Sequence, residues 1–162
     1  MSGLTMDVFT SEKRSQIMAR IRSRNTRPEE AVFSLLKLAC GRRRIIRHDD
    51  TLEGTPDFVV PSLHLVVFVD SCFFHGCRKH YKCPLTRPEF WDAKIRRNSK
   101  RDAAVTRKLR SQSYSVLRLW THDLRPSKVT DTQKRLVRLV AFQKQGRSSG
   151  NNVVCPTRGI SR

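Results

Sequence analysis

The chain has 162 residues, of which 33 are Lys or Arg and 14 are Asp or Glu, so its formal net charge is +19. This is the length of one ordinary domain, and 38% hydrophobic residues supply enough apolar surface to exclude wholesale disorder. The longest apolar run, Leu65–Val69, is far shorter than the roughly 20 residues of a membrane span. Such a positive charge indicates a polyanionic partner, and nucleic acid fits better than a membrane surface.

Composition along the chain indicates a single domain with a tail. We expect a flexible leader at residues 1–9, a single domain at residues 10–142 that includes a basic N-terminal arm at residues 10–26, and a disordered basic tail at residues 143–162. The tail contains Gly and Ser and has no acidic residue, which is typical of disordered termini. The N-terminus has no apolar segment of the kind that a secretory signal needs.

The first predicted elements are helical. A short basic helix is expected from Thr10, where isoleucines recur at helical spacing. The segment Thr26–Glu29 has the pattern of a capping box, in which the Thr oxygen bonds a free amide and the Glu reaches back. A helix follows and ends at Gly41. Its apolar side consists of Ala31, Val32, Leu35, Leu36 and Ala39.

Four apolar segments then predict strands. Because Leu65–Val69 is apolar throughout, it is expected to be a central strand covered on both faces. Three consecutive strands followed by a helical crossover to a fourth predict a mixed sheet flanked by helices, which is an α/β fold that suits a small nuclease core. The four segments are Arg44–Arg47, Phe58–Val60, Leu65–Val69 and Tyr114–Trp120.

Two further helices are predicted. A second capping box at Thr86–Glu89 would open a long helix that runs to about Arg110. Thr130 or Asp131 would cap the last helix. In the long helix, Ile95, Val105 and Leu109 are expected to face inward, and the last helix carries the apolar residues Leu136, Val137, Leu139 and Val140.

The segment between the third strand and the long helix is rich in potential metal ligands. Zinc takes four Cys or His ligands in a tetrahedron, so six candidates compete for four positions and their spacing alone does not choose among them. Ordinary loop residues and a disulfide between two of the cysteines are the alternatives. The six candidates are Cys72, His75, Cys77, His80, Cys83 and, after the fourth strand, His122.

An acidic residue precedes the second strand. The dipeptide Pro56-Asp57 before an apolar strand is typical of nucleases in which a carboxylate holds Mg²⁺ against the scissile phosphate. A simple turn residue is the alternative. The acid-x-Lys that such nucleases carry at the end of the next strand is absent, and Asp70-Ser71-Cys72 stands there instead.

Aromatic residues accompany this segment. Phe73 and Phe74 lie among basic residues, and Phe90 and Trp91 open the long helix. Apolar side chains that enter between base steps unstack and bend DNA, so these residues are candidates for such a wedge. The alternative is that Phe90 and Trp91 anchor the long helix in the core.

Taken together, these segments resemble the very short patch repair endonucleases, which nick DNA beside the T of a T:G mismatch. The string Val67–Cys77, with its Cys-Phe-aromatic-His-Gly-Cys ending, is the most specific part of the resemblance. The supporting segments are Arg22–Glu29, Gly54–Val60, Glu89–Ile95 and the strand that ends at Trp120.

The resemblance implies a restriction-endonuclease-like core with catalytic Mg²⁺ and structural Zn²⁺. Asp57 would ligate Mg²⁺ together with the main-chain carbonyl of Val69. His75 would act as general acid or base in place of the missing Lys, because an imidazole exchanges protons near neutral pH. Glu29 would bind water held by the metal ion, and Asp70 would support His75 or this water.

The resemblance also implies a choice among the six potential zinc ligands. Cys72, Cys77, His80 and His122 would bind Zn²⁺, which leaves Cys83 spare. The zinc would then stabilise the loop that presents His75.

The remaining implications concern DNA. Phe73, Phe74 and Trp91 would intercalate beside the mismatch, and Phe74 occupies a position where the family usually has Trp. The partner would be double-stranded DNA with a T:G mismatch, and mismatch-repair proteins would be further partners. The enzyme would be a monomer in the bacterial cytoplasm, associated with the nucleoid. The alternatives are a restriction-type nicking endonuclease that acts on matched sites and a zinc-stabilised nucleic-acid-binding protein without catalysis.

Overall fold

A computed structural model describes residues 24–148 together with Lys13 and Gln16. The predicted leader, nearly all of the basic arm and residues 149–162 therefore lie outside the described residues. Within the described part, no helix is long and apolar enough to cross a membrane. The α-helices there are α1 (Arg27–Cys40), α2 (Pro88–Ser111) and α3 (Val129–Ser148), and the strands are β1 (Ile46–Arg47), β2 (Phe58–Val60), β3 (Leu65–Asp70) and β4 (Ser115–Trp120).

The four strands form one mixed sheet in the order β1-β2-β3-β4. The first three strands pair antiparallel, and β4 returns through α2 to pair parallel with β3, with Asp70 opposite Trp120. The α/β fold with a mixed four-stranded sheet flanked by helices is thus confirmed. Strand β1 is shorter than the predicted Arg44–Arg47, because only Ile46 and Arg47 pair with β2.

Helices cover both faces of the sheet. On one face, α1 and α3 pack against alternate residues of the strands, and on the other face α2 packs against the residues between them. This arrangement explains why β3 is apolar throughout, since successive side chains of a strand point to opposite faces. The first core includes Val32, Leu36, Leu65, Leu136 and Val140, and the second includes Val59, Val66, Phe68, Val105 and Leu109.

The two predicted capping boxes differ from the observed helix starts. At α1, Glu29 does reach back, accepting hydrogen bonds from the Asn25 N–H (2.9 Å) and the Thr26 hydroxyl (2.7 Å). The Thr26 side chain, however, bonds no helix amide. At α2 the prediction is wrong, because the capping residue is Arg87 in a left-handed conformation, with φ of 55°, and it makes no side-chain cap.

The last helix is longer than expected. It begins at Val129, before both predicted capping residues, and continues to Ser148, so the start of the predicted disordered tail is helical. The helix still contacts the sheet beyond residue 142, because the Gln143 side chain donates a hydrogen bond to the Ser115 hydroxyl on β4 (2.6 Å). The rest of the tail stays a prediction.

A pair of leucines on α1 tests this packing. Leu36 is fully buried in the first core, whereas Leu38 on the same helix is 70% exposed. We expect Leu36→Ala to lower the free energy of unfolding by about 2–5 kcal/mol because it leaves a cavity. Leu38→Ala, the control, should change it by less than about 0.5 kcal/mol. Urea unfolding followed by circular dichroism measures both values, and similar losses in the two variants would contradict the described packing.

Candidate functional site

A cleft of about 250 Å³ opens where β2 begins and β3 ends. Antiparallel pairing brings these two strand ends together, and the Val69 N–H donates a hydrogen bond to Asp57 Oδ2 (2.7 Å). The cleft is lined by all five residues to which the resemblance assigns the catalytic chemistry. These are Glu29, Asp57, Val69, Asp70 and His75.

The carboxylates in this cleft lie close to one another and have little exposure to solvent. Burial raises the pKa of Asp57; the hydrogen bond from Val69 opposes this shift, and the nearby charges of Glu29 and Asp70 add to it. Glu29 itself is only 5% exposed. A cation placed between these carboxylates would offset their mutual repulsion, so the cleft has the electrostatics of a divalent cation site.

His75 is held by a network of charged side chains. Its Nδ1 lies 2.6 Å from Asp102 Oδ2 and 3.6 Å from Asp70 Oδ1. Arg118 makes two hydrogen bonds to Asp70, of 2.6 and 2.7 Å, and its Nη2 lies 3.3 Å from Asp102 Oδ1. The main partner of His75 is therefore Asp102, whereas Asp70 is chiefly bound by Arg118.

This network favours the charged form of Asp102. Burial of Asp102 works against ionisation, but the hydrogen bond with His75 and the charge of Arg118 outweigh it, so the pKa of Asp102 is lowered. Burial acts to lower the pKa of Arg118, but the carboxylates of Asp70 and Asp102 outweigh burial, so this pKa is raised. An ionised Asp102 then fixes the imidazole through Nδ1, so a proton would be exchanged at Nε2.

The sequence interpretation missed Asp102, although a signal for it exists. Asp102 lies in the same helical register as Ile95, Val105 and Leu109, which are the residues that α2 buries against the sheet. A charged residue on an otherwise buried helix face needs a partner, which makes Asp102 a candidate site residue. Asn98 lies in the same register, and its side-chain amide donates a hydrogen bond to the Phe74 carbonyl (2.8 Å). Polar residues on the inward face of α2 thus mark the site.

Arg118 and His48 were also missed. Arg118 is the one basic residue within β4 and alternates with the buried Leu117 and Leu119, which indicates the opposite face of the sheet. Its guanidinium group lies 4.6 Å from the centre of the Phe68 ring. His48 has no sequence signal, because it lies in a loop that only tertiary folding brings beside Glu29 (3.3 Å).

A second cluster lies beside the cleft and consists of thiols and imidazoles. The ligand atoms of four residues lie within 4.8 Å of one another. Cys72 Sγ is 3.2 Å and Cys77 Sγ 3.7 Å from His122 Nδ1, and Cys77 Sγ is 3.5 Å from His80 Nδ1. Sulfur and nitrogen ligands of a tetrahedral zinc ion are about 3.5 Å apart, so these four residues fit a closed metal site.

The loop and the end of β4 hold this cluster together. The Cys72 N–H donates to the Thr121 hydroxyl, and that hydroxyl in turn donates to Cys72 Sγ, both at 3.3 Å. The Cys77 N–H bonds the Cys72 carbonyl (3.0 Å). Burial lowers the pKa of His122, which favours the neutral imidazole that a metal ion requires.

The other two candidates for metal ligation lie elsewhere. His75 belongs to the cleft, and Cys83 is exposed, with its Sγ 3.7 Å from the Pro84 and Pro88 carbonyls. The four cysteines in the described part of the chain, including Cys72 and Cys77, are free thiols. The alternative of a disulfide in this loop is therefore wrong.

Two glycines bring the loops of the site against α2. Gly54 and Gly76 both have positive φ angles, of 78° and 64°. A Cβ atom at Gly54 would lie 2.6 Å from Val105, and one at Gly76 would lie 2.5 Å from Ile95. Since both approaches leave no space for a side chain, these glycines set the distance from α2 to the loops that carry Asp57 and His75.

An aromatic cluster lies where the metal-ligating loop meets the start of α2. Phe73 contacts both Phe74 and Trp91 edge to face, with ring centres 5.1 and 4.9 Å apart. Phe90 is 43% exposed and also contacts Trp91. Phe73, Phe74 and Trp91 are half-buried, so they form a partly exposed apolar surface and are not anchors of the main core. Lys94 adds a positive charge 5.3 Å from the Trp91 ring.

The cleft contains carboxylates and a histidine held in a fixed orientation, and the chain is strongly basic. This combination indicates a nuclease that cleaves phosphodiester bonds. Comparison with known proteins identifies the family. The sequence-family model for the DNA mismatch endonuclease Vsr matches residues 6–82. The chain is 42% identical to the type II nicking enzyme V.XorIIP of Xanthomonas oryzae pv. oryzae over 120 residues, which are 73% of this chain and 86% of the relative.

A second relative agrees. The chain is 38% identical to the DNA mismatch endonuclease Vsr of Escherichia coli over 128 residues, which are 77% of this chain and 80% of that protein. The chain therefore belongs to the Vsr family of DNA mismatch endonucleases, and it is a DNA endonuclease.

The cysteines provide a matched test of the metal site. We expect Cys77→Ser to lose most of the tightly bound metal and to unfold at a lower temperature, because a structural metal ion contributes directly to folding free energy. Cys83→Ser, which alters an exposed thiol outside the cluster, should keep both values. Elemental analysis of the purified variants and thermal unfolding measure them. Loss of metal in Cys83→Ser but not in Cys77→Ser would refute this ligand set.

Proposed function

We propose that this Vsr-family endonuclease nicks one strand of duplex DNA next to the T of a T:G mismatch, by Mg²⁺-dependent hydrolysis. The observation that carries the proposal is one cleft that contains Asp57, the end of β3 and a His75 imidazole held by Asp102. The membership in a family of mismatch endonucleases supports the choice of substrate.

The acidic side of the cleft would hold the cation. The Asp57 carboxylate and the Val69 carbonyl would ligate Mg²⁺, which prefers oxygen ligands, and Glu29 would orient a water molecule beside them. Bound there, Mg²⁺ would neutralise charge that develops at the scissile phosphate. The half-buried Asp57 carboxylate and the buried Glu29 carboxylate support this assignment, since each gains from a positive charge close by.

His75 would act as the general acid or base. Asp102 holds its Nδ1, which orients the ring and leaves proton exchange to Nε2. Arg118 binds Asp70 and also approaches Asp102, so it keeps both carboxylates in place. In this proposal Arg118 supplies a fixed positive charge in a site that lacks the usual Lys.

The Cys/His cluster would bind Zn²⁺ in a structural role. Cys72, Cys77, His80 and His122 would occupy all four positions, and such a closed site stabilises a fold and leaves no position for substrate. Since His75 lies between two of these ligands in the chain, the zinc would limit the movement of the imidazole relative to the cleft.

The aromatic cluster would open the duplex. Phe73, Phe74 and Trp91 would enter the base stack beside the mismatch, where unstacking costs less than at a matched pair. Their partial exposure and the neighbouring Lys94 support contact with DNA.

We also propose that the protein is a monomer in the bacterial cytoplasm, that it is associated with the nucleoid, and that mismatch-repair proteins are its partners. The net charge of +19 supports the association with DNA.

A second candidate function is nicking of a matched recognition site. It is favoured by the names of two relatives, the type II nicking enzymes V.XorIIP of Xanthomonas oryzae pv. oryzae and V.NaeI of Lentzea aerocolonigenes. Equal cleavage of matched and T:G duplexes of the same sequence would establish this alternative.

The nicking reaction tests the first candidate. With Mg²⁺, we expect a nick in a T:G duplex and none in the matched duplex, as resolved on a denaturing gel. Asp57→Asn should slow the nick by more than about hundredfold, because several kcal/mol of charge stabilisation would be lost. Asp50→Asn, which alters an exposed acid in the preceding loop, should retain the rate. An undiminished rate in Asp57→Asn would overturn the proposed chemistry.

Position 74 tests the wedge. We expect Phe74→Ala to weaken binding to a T:G duplex by about 1–3 kcal/mol, the usual loss for a base stacked on an aromatic ring. Phe74→Trp should bind more tightly than the parent because it offers a larger stacking surface. The fluorescence of 2-aminopurine beside the mismatch reports unstacking. Leu85→Ala, at an 84% exposed position nearby, is the control, and equal signals from Phe74→Ala and the parent would exclude the wedge.

A further inference from the structure

A group of three potential ligands lies at the edge of the cleft and includes a residue that has no role in the proposed chemistry. Carboxylate oxygens of Glu29 and Asp57 and a ring nitrogen of His48 lie within 4.8 Å of one another. Both carboxylates line the cleft, and His48 follows β1 directly. The buried Glu29, the half-buried Asp57 and an imidazole therefore converge on one point.

His48 is fixed in this position by its backbone and its side chain. Its N–H donates to the Asp57 carbonyl (3.0 Å), and its φ of 49° lies in the left-handed region, which non-glycine residues seldom adopt. Its Nε2 lies 3.3 Å from Glu29 Oε2 and 3.4 Å from Asn25 Oδ1. The imidazole is thus surrounded by oxygen atoms, with 13% of its side chain exposed.

These separations suit a shared cation. Ligand atoms at about 2.1 Å from one six-coordinate cation are about 3.0 Å apart when adjacent and about 4.2 Å apart when opposite. The Nε2–Oε2 distance of 3.3 Å fits adjacent ligands, and because all three ligand atoms lie within 4.8 Å of one another, only small side-chain rotations are needed. The cation would also replace the repulsion between Glu29 and Asp57 with attraction to both.

The chemistry of this set differs from that of an all-oxygen site. Mg²⁺ prefers oxygen ligands, whereas an imidazole nitrogen is a good ligand for first-row transition cations. We propose that His48 is a nitrogen ligand of the cation at Asp57 and that, without DNA, Glu29 binds this cation directly instead of through water, so that this site binds Mn²⁺ more tightly than Mg²⁺. This inference rests on the proposed function, because it assumes a cation at Asp57.

The test uses the whole protein with zinc in the Cys/His cluster, and Mn²⁺ as the probe without DNA. Electron paramagnetic resonance counts free Mn²⁺ and gives its dissociation constant, and electron spin echo modulation detects a directly bound ¹⁴N nucleus. We expect nitrogen modulation in the parent. His48→Asn, which tolerates the left-handed backbone, should abolish it and raise the Mn²⁺ dissociation constant by about tenfold or more. The Mg²⁺ constant, from competition, should change little.

Two further histidines serve as controls. His64 also has a positive φ, of 44°, but it precedes β3, at the end of the strand opposite to Asp70. His64→Asn should therefore keep the modulation and the affinity. His75→Gln removes the other imidazole of the cleft and should also keep the modulation.

The outcomes separate the two proposals. Absence of nitrogen modulation in the parent, its persistence in His48→Asn or its loss in His75→Gln overturns the inference. If circular dichroism shows that His48→Asn does not fold, the test is the nitrogen modulation in His75→Gln. Retained modulation in that variant supports His48 as the nitrogen ligand, and lost modulation rejects it. Failure of the proposed function appears instead in the Asp57→Asn nicking assay. An enzyme that nicks T:G duplexes and binds Mn²⁺ without nitrogen modulation would refute the role of His48 alone.

Discussion

The parallel pairing of β3 with β4 is the constraint on which the site depends. Because parallel strands end at the same edge of a sheet, Asp70 lies opposite Trp120 and the two segments that follow start side by side. One segment brings Cys72 and Cys77, and the other brings His122, a separation of 45 residues or more along the chain. The proximity of these Cys and His side chains is thus a direct consequence of strand order.

The same edge of the sheet explains how a chain of net charge +19 collects acids in one cleft. Each acid there has a partner: Glu29 accepts from the Asn25 N–H, Asp57 accepts from the Val69 amide, Asp70 binds Arg118, and Asp102 binds His75. Polar groups without partners would be costly at this depth, so these hydrogen bonds and ion pairs are needed to hold the acids in the cleft. The cleft is therefore preorganised for chemistry with a cation and a proton donor or acceptor.

Helix α2 joins the structural and catalytic parts of the molecule. One face buries Ile95, Val105 and Leu109 against the sheet and the site loops. The same face contributes Asp102 to His75, while its first turn contributes Trp91 to the aromatic cluster. A single helix thus links Asp102, the partner of His75, to the aromatic cluster.

The amino-acid sequence by itself determined the succession of helices and strands along the chain and the crowding of Cys and His, because these follow from local periodicity and composition. It also placed Asp57 and His75 in recognisable motifs. The roles of Asp102, Arg118 and His48 were decided only by the tertiary structure. They lie 27, 48 and 19 residues from the groups they contact, and contacts at such separations depend on strand pairing and helix packing, which local patterns do not encode.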